Sequence, residues 1–219
     1  AESLVPPQVI MFIKLCAALA TPLALAAFLN VRIQWRRRLF NRYLRRRCTI
    51  SAQQRTDYRR DGVICVRSAF SVDWIKKLQA ATDAAIKSDS KNKDLEEYST
   101  HDQPGRFCGE MDCSRKYAAF EEFIFESPAA QLASAVLDSS LTAFFYDILF
   151  VKEPGTLQRT VWHQDLGYWL VQGEDVCSIW MPLDPVPRAS CLEFIRGSHA
   201  SGIEYAPFRF ADGVPYQGA

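Results

Sequence analysis

The 219-residue sequence predicts an α+β fold, with N-terminal helices packed on a β-sandwich or jelly-roll core and one transmembrane helix preceding both. Three observations predict this fold. An apolar run spans Val9–Leu29, helical spacing recurs between residues 71 and 140, and short apolar runs separated by turn residues follow from Leu141. A composition of 48% apolar and 23% charged residues is typical of a globular protein rather than a disordered one.

The segment Val9–Leu29 is predicted to be the transmembrane helix, because about 20 helical residues cross a hydrocarbon core. Eight arginines follow it, namely Arg32, Arg36, Arg37, Arg38, Arg42, Arg45, Arg46 and Arg47. The positive-inside rule keeps this flank cytosolic. The sequence therefore predicts a single-pass anchor over residues 1–31, an Arg-rich linker over 32–56 and a body in the cytosol. An organelle transit peptide and a buried core helix are the alternatives.

Charge is distributed unevenly along the chain. Residues 1–60 carry a net charge of +10 and residues 61–219 carry −9. The acidic body argues against nucleic-acid binding, because neutralising phosphates requires a basic face. The seven cysteines are an odd number without a regular framework, which indicates reduced thiols rather than a disulfide scaffold.

The helical part of the body begins after a short predicted strand, Val63–Val66, which follows an Asp-Gly turn. Ser71 is expected to cap a helix that runs to about Lys87. A second helix is predicted over Tyr117–Phe125. A third starts at Ser127-Pro128, with proline at its first position, and ends near residue 140.

The strand part of the body starts after Leu141. One or two strands are predicted within residues 144–151, followed by strands over Thr160–Asp165, Val176–Leu183 and Ser190–Ile195. Strands of this length at this spacing are typical of a sandwich or a jelly roll.

Two candidate metal ligands lie in one of these strands. His163 and Asp165 are two residues apart, and such residues point to the same face of a strand. One imidazole and one carboxylate are two of the three ligands in the 2-His-1-carboxylate face of non-haem Fe(II) oxygenases. The third ligand must then come from elsewhere in the chain. The alternative is a solvated His-Asp pair that holds no metal.

Five stretches strengthen the metal interpretation through their order along residues 57–206. They are Asp61–Val66, Phe150–Gly155, Trp162–Asp165 with Tyr168-Trp169, Ser178–Asp184 and Cys191–His199. In this order they resemble the motifs of the phytanoyl-CoA dioxygenase family, and together they are far more specific than His-x-Asp alone.

The resemblance implies an Fe(II)- and 2-oxoglutarate-dependent dioxygenase on a double-stranded β-helix, which uses O2 to hydroxylate a small-molecule or lipid-like substrate. It implies that His163 and Asp165 bind Fe(II), that Trp180 contacts 2-oxoglutarate and that Gln164 helps to line the same pocket. No catalytic residue beyond the metal ligands is implied. A carboxylate at Asp165 favours hydroxylation, since related halogenases have a small residue there.

The resemblance also implies a distal histidine and a following arginine, later in the chain than the Gly-Ser-His turn. His101 lies in a polar loop ahead of the core, and His199 belongs to that turn, which supplies no ligand in the family. We therefore expect a domain over residues 57–219 that is truncated at its C-terminus and inactive by itself. The alternatives are a metal enzyme on the same scaffold without 2-oxoglutarate, and a membrane-anchored interaction module without catalysis.

Overall fold

A computed structural model describes residues 8–17, 50–88, 96–99, 104–157, 159–169, 173, 175–209 and 213–216. Its strands are β1 (Gln8–Ala17), β2 (Glu96–Glu97), β3 (Phe107–Met111), β4 (Thr142–Lys152) and β5 (Val176–Pro182). Its α-helices are α1 (Ala52–Asp61), α2 (Val72–Ser88), α3 (Cys113–Lys116), α4 (Ala118–Glu126) and α5 (Ala129–Leu137). Short 3-10 helices cover Asp165–Tyr168, Arg188–Ser190 and Ser198–Ala200.

The strands form one antiparallel sheet in the order β2-β3-β4-β1-β5, so helices combined with an antiparallel sheet confirm the predicted α+β class. One face of the sheet is packed against helices. On β4, Asp147, Leu149 and Val151 are buried. Leu149, Val151 and the buried apolar residues of neighbouring strands form one core with side chains of the helices, which include Leu78, Phe120, Phe123, Ala129 and Ala133.

The three predicted helices of the body are confirmed as α2, α4 and α5. Ser71 caps α2, since its Oγ accepts from the backbone N–H of Trp74 at 3.4 Å. The inner face of α2 is buried at Leu78, Thr82 and Ala85, at helical spacing. Pro128 lies at the N-cap of α5, one residue before its predicted position.

The helix predicted over Val9–Leu29 is wrong in its first half, because residues 8–17 form β1. This strand lies between β4 and β5 and is antiparallel to both. A strand with a neighbour on each side and a sheet face against the core suits a continuous apolar sequence, and periodicity alone does not distinguish it from an apolar helix. The remainder of the predicted helix, and the arginines that follow it, lie outside the described residues.

Within the described ranges, no helix combines the length and the apolar character needed to cross a membrane.

Three predicted strands are also wrong. The three segments have an extended or irregular backbone and lie outside the sheet, at Val63–Val66, Thr160–Gln164 and Cys191–Ile195. Asp165, predicted as the end of a strand, is the first residue of a 3-10 helix. Short apolar runs are compatible with strands, but only a partner with free backbone groups makes them part of a ladder.

Helix α1 and strand β3 are among the elements that the sequence did not predict. Helix α1 is mostly polar, so it lacks a clear hydrophobic periodicity, although its Ser51–Gln54 capping box is a signal that could have found it. Strand β3 contains Gly109, which weakens a strand pattern. A Cβ at that position would lie 2.7 Å from the Tyr98 ring and 3.0 Å from the Phe150 ring, so the close packing accounts for the glycine.

Candidate metal site

The candidate site lies on the sheet face opposite the helices. On β4 the residues that alternate with the buried ones are Tyr146, Ile148 and Phe150, and all three are only half-buried. On β5, Ser178 and Trp180 lie on the same face as these residues, because the paired positions in β1 align Ser178 with Tyr146 and Trp180 with Ile148. The polar and aromatic side chains on this face therefore lie outside the hydrophobic core.

The structure brings His163 and Asp165 together above this face. Nε2 of His163 lies 3.3 Å from Oδ1 of Asp165, and the two side chains are 24% and 34% exposed. The geometry does not come from strand alternation, as the sequence suggested. It comes from an extended segment that ends where the 3-10 helix Asp165–Tyr168 begins.

Each of the two side chains is held by a hydrogen bond on its far side. Nδ1 of His163 lies 2.8 Å from the carbonyl oxygen of Val161. Because a carbonyl only accepts, this contact places a proton on Nδ1 and makes Nε2 the ring nitrogen that faces Asp165. Oδ2 of Asp165 accepts from the Ser178 hydroxyl at 2.9 Å, which leaves Oδ1 facing His163.

This arrangement fits a divalent transition metal. Two ligand atoms that bind one ion at right angles, each at about 2.1 Å, lie about 3 Å apart. The 3.3 Å separation of Nε2 and Oδ1 is close to that value. An imidazole nitrogen with a carboxylate oxygen is also the donor combination that iron accepts in facial sites.

No third ligand completes the site within the described ranges, since no group of three His, Cys, Asp or Glu side chains there could hold an ion. His199 is committed elsewhere, because its Nε2 lies 3.1 Å from the carbonyl oxygen of Arg59 at the end of α1. His101 lies outside the described residues.

Trp180 supplies an unused donor on the site face. Its Nε1 is buried and has no hydrogen-bond partner in the described part of the chain. A buried N–H without an acceptor is costly, so this position suits an acceptor oxygen from a ligand or an ordered water. An oxo acid has the oxygens required, so the site also fits the cosubstrate that the sequence suggested for Trp180.

Gln164 holds the segment rather than facing the site. Its Nε2 donates to the carbonyl of Ile203 at 2.8 Å, and its Oε1 accepts from the backbone N–H of Tyr205 at 3.0 Å. Both ends of the amide are therefore used to fix residues 203–205 against the metal motif.

Tyr146 and Trp169 are site residues that the sequence reading missed. Burial raises the pKa of Tyr146 to about 12, and the negative charge of Asp165 acts in the same direction. The phenol oxygen accepts a hydrogen bond from the indole N–H of Trp169. Tyr146 thus stays protonated at neutral pH beside the carboxylate. The sequence signal for Tyr146 was its position two and four residues before Ile148 and Phe150, because alternate residues of a strand lie on the same face.

Lys152 lies at the end of β4, on the same side as Tyr146. Its ammonium stands 4.5 Å from the centre of the Phe107 ring and 3.4 Å from the hydroxyl oxygen of Thr160. Burial lowers the pKa of this lysine. The ammonium thus lies where the chain leaves the sheet towards the metal motif.

Comparison with protein-family models matches residues 58–216 to the phytanoyl-CoA dioxygenase (PhyH) model. The match spans most of the chain and includes every residue placed at the site above. No curated protein and no solved structure matches the chain.

Proposed function

The chain belongs to the phytanoyl-CoA dioxygenase family, and we propose that it is an Fe(II)- and 2-oxoglutarate-dependent dioxygenase that hydroxylates a small-molecule substrate. The observation that carries the proposal is the 3.3 Å approach of His163 Nε2 to Asp165 Oδ1 on the open face of the sheet. In this proposal the two atoms are iron ligands, and the third ligand comes from residues other than those described.

The residues of the site would have different roles in binding the metal and the cosubstrate. His163 and Asp165 would hold the metal, and Trp180 would donate its indole N–H to 2-oxoglutarate. Bound Fe(II), with 2-oxoglutarate and O2, supplies the oxidant for an unactivated C–H bond, while 2-oxoglutarate becomes succinate and carbon dioxide. The protein itself would position the reactants and limit the access of water. Tyr146 and Trp169 would line the site on the side of the Asp165 carboxylate.

An apolar, lipid-like substrate is favoured by the surroundings of the motif. Trp162 and Leu166, on either side of the two proposed ligands, are 60% and 36% exposed. Ile203 and Tyr205, which Gln164 fixes next to the motif, are 53% and 58% exposed. Exposed apolar groups gathered around a polar centre are typical of a binding surface.

The proposal is tested by the release of labelled carbon dioxide from 2-oxoglutarate in the full-length protein with Fe(II) under air. We expect turnover that requires Fe(II) and falls at least a hundredfold in Asp165→Ala and His163→Ala, because each change removes a metal ligand.

A matched pair of controls uses side chains of the same types away from the site, Asp83→Ala on the exposed side of α2 and His199→Ala in the Gly-Ser-His turn. Both should retain turnover. Full activity of Asp165→Ala would remove this carboxylate from the ligand set and contradict the proposed function.

A further inference from the structure

The hydroxyl of Ser178 forms a hydrogen bond with the carboxylate of Asp165. Ser178 lies on β5, two residues before Trp180, and its Oγ donates to Oδ2 of Asp165 at 2.9 Å. The other carboxylate oxygen, Oδ1, is the one that faces His163 Nε2. The carboxylate therefore has distinct roles for its two oxygens before any metal binds.

The backbone makes this hydrogen bond a link between two separate parts of the chain. Asp165 stands at the start of a one-turn 3-10 helix that follows an irregular segment, so its own element constrains it little. Ser178, in contrast, is held in a seven-residue strand whose residues 176–182 pair with β1. The ladder thus gives the serine a fixed position from which to hold the aspartate.

We propose that Ser178 is a positioning residue that orients Asp165 for monodentate binding of the metal through Oδ1. This inference rests on the proposed function, because it assigns Ser178 a role at the same metal site. Without the hydroxyl, the carboxylate can rotate about its last side-chain bond, and the Nε2–Oδ1 pair is no longer set at the spacing of two neighbouring ligands. Partners that hold a metal ligand in this way contribute roughly tenfold to a hundredfold to metal affinity.

The test is a titration of the full-length protein with Co(II), followed by the visible absorption of the protein-bound ion, in the absence of O2 and 2-oxoglutarate. We expect Ser178→Ala to bind Co(II) about tenfold more weakly than the wild type. Ser178→Thr keeps the hydroxyl on a residue that strands accept, so its affinity should return to within about twofold of the wild type. Ser190→Ala, whose hydroxyl contacts the carbonyl of Pro187, is the matched control and should bind as the wild type does.

The outcomes separate this inference from the proposed function. Wild-type affinity in Ser178→Ala overturns the positioning role while leaving the metal site in place. Equal weakening in Ser178→Ala and Ser178→Thr also overturns it, because the hydroxyl is then not the group that matters. A wild-type protein that binds no Co(II), or an Asp165→Ala variant that binds it normally, overturns the proposed function and this inference with it.

Discussion

His163 and Asp165 show how much of the site was readable from single residues. Their spacing of two correctly suggested neighbouring side chains, but for a reason that the structure does not bear out. The segment is not a strand, and its geometry depends on contacts with Val161, Ser178 and residues 203–205. Ser178 lies 13 residues after Asp165 in the sequence, so no local pattern predicted the contact between them. The identity of the two residues as metal ligands stays a prediction.

Trp180 gives a prediction at this scale. Trp180→Phe keeps the aromatic volume but removes the indole N–H, which lacks an acceptor in the described part of the chain. Loss of one hydrogen bond to bound 2-oxoglutarate, of about 1 kcal/mol, should raise the KM for 2-oxoglutarate roughly fivefold to tenfold, with a smaller effect on kcat. Steady-state kinetics checks this expectation. Trp74→Phe in the helical layer is the control, and an unchanged KM in Trp180→Phe would contradict the assignment.

Asp147 gives a second prediction, concerning pH. Its carboxylate is fully buried on the helix face of β4 and accepts from both N–H and Oγ of Ser114. Burial raises the pKa of Asp147 from 3.8 to about 6. A carboxyl with a raised pKa in the folded state contributes stability that is present below about pH 4 and is lost as pH rises through 6.

The corresponding loss is about 2 kcal/mol between pH 4 and pH 7. Urea unfolding of Asp147→Asn should therefore show a weaker decline of the unfolding free energy between these pH values than the wild type shows. Asp83→Asn, on the exposed side of α2, should keep the wild-type decline. An identical decline in Asp147→Asn would show that this carboxyl does not cause it.

Elements with internal periodicity were predictable and those defined by partners were not. Helix α2 was found from its cap and its buried face, because both signals lie within the element. Strand β1 was not, since an apolar run satisfies a membrane helix and a central strand equally. What makes it a strand is the pair of edges offered by β4 and β5, which are separated from it by more than a hundred residues.

The junction of α1 with the Gly-Ser-His turn allows a prediction at the element scale. Gly62 ends α1 with φ +79°, and a Cβ there would lie 2.5 Å from Nδ1 of His199. Gly62→Ala should lower the unfolding free energy by more than the strain of a left-handed backbone alone would, because the alanine must also displace the imidazole.

Gly202 isolates the backbone contribution, since it has φ +67° and, apart from its chain neighbours, no atom of the described residues lies within 4 Å of an added Cβ. Gly202→Ala should lower the unfolding free energy by about 1 kcal/mol, and Gly62→Ala by at least about twice as much. Urea denaturation measures both. Equal losses of unfolding free energy in the two variants would mean that His199 moves aside without an energetic cost and does not hold the turn against α1.

At the scale of the whole molecule, β1 joins β4 to β5, the strands that carry the two sides of the site. Its Met11 is fully buried in the core. Met11→Ala should therefore lower the stability of the body by about 2–4 kcal/mol through the cavity it leaves. Met111→Ala is a matched control, because Met111 is 50% exposed and its truncation should cost little. Unchanged stability in Met11→Ala would contradict the position of β1 in the sheet.

The family and the α+β class were predictable from the whole chain, because five motifs in a fixed order carry more information than any of them alone. The arrangement of the sheet was not predictable, since register and neighbours depend on long-range pairing. The same limit explains why Tyr146, Trp169 and Ser178 were recognised as site residues only once β1 had placed β4 and β5 in the same sheet.

Anomalous diffraction from crystals of the full-length protein grown with Co(II) tests the central claim most directly. The account predicts one strong peak about 2.1 Å from both His163 Nε2 and Asp165 Oδ1, with Ser178 still bonded to Oδ2. A cobalt peak that contacts neither residue, or the lack of any peak in crystals containing Co(II), would contradict it.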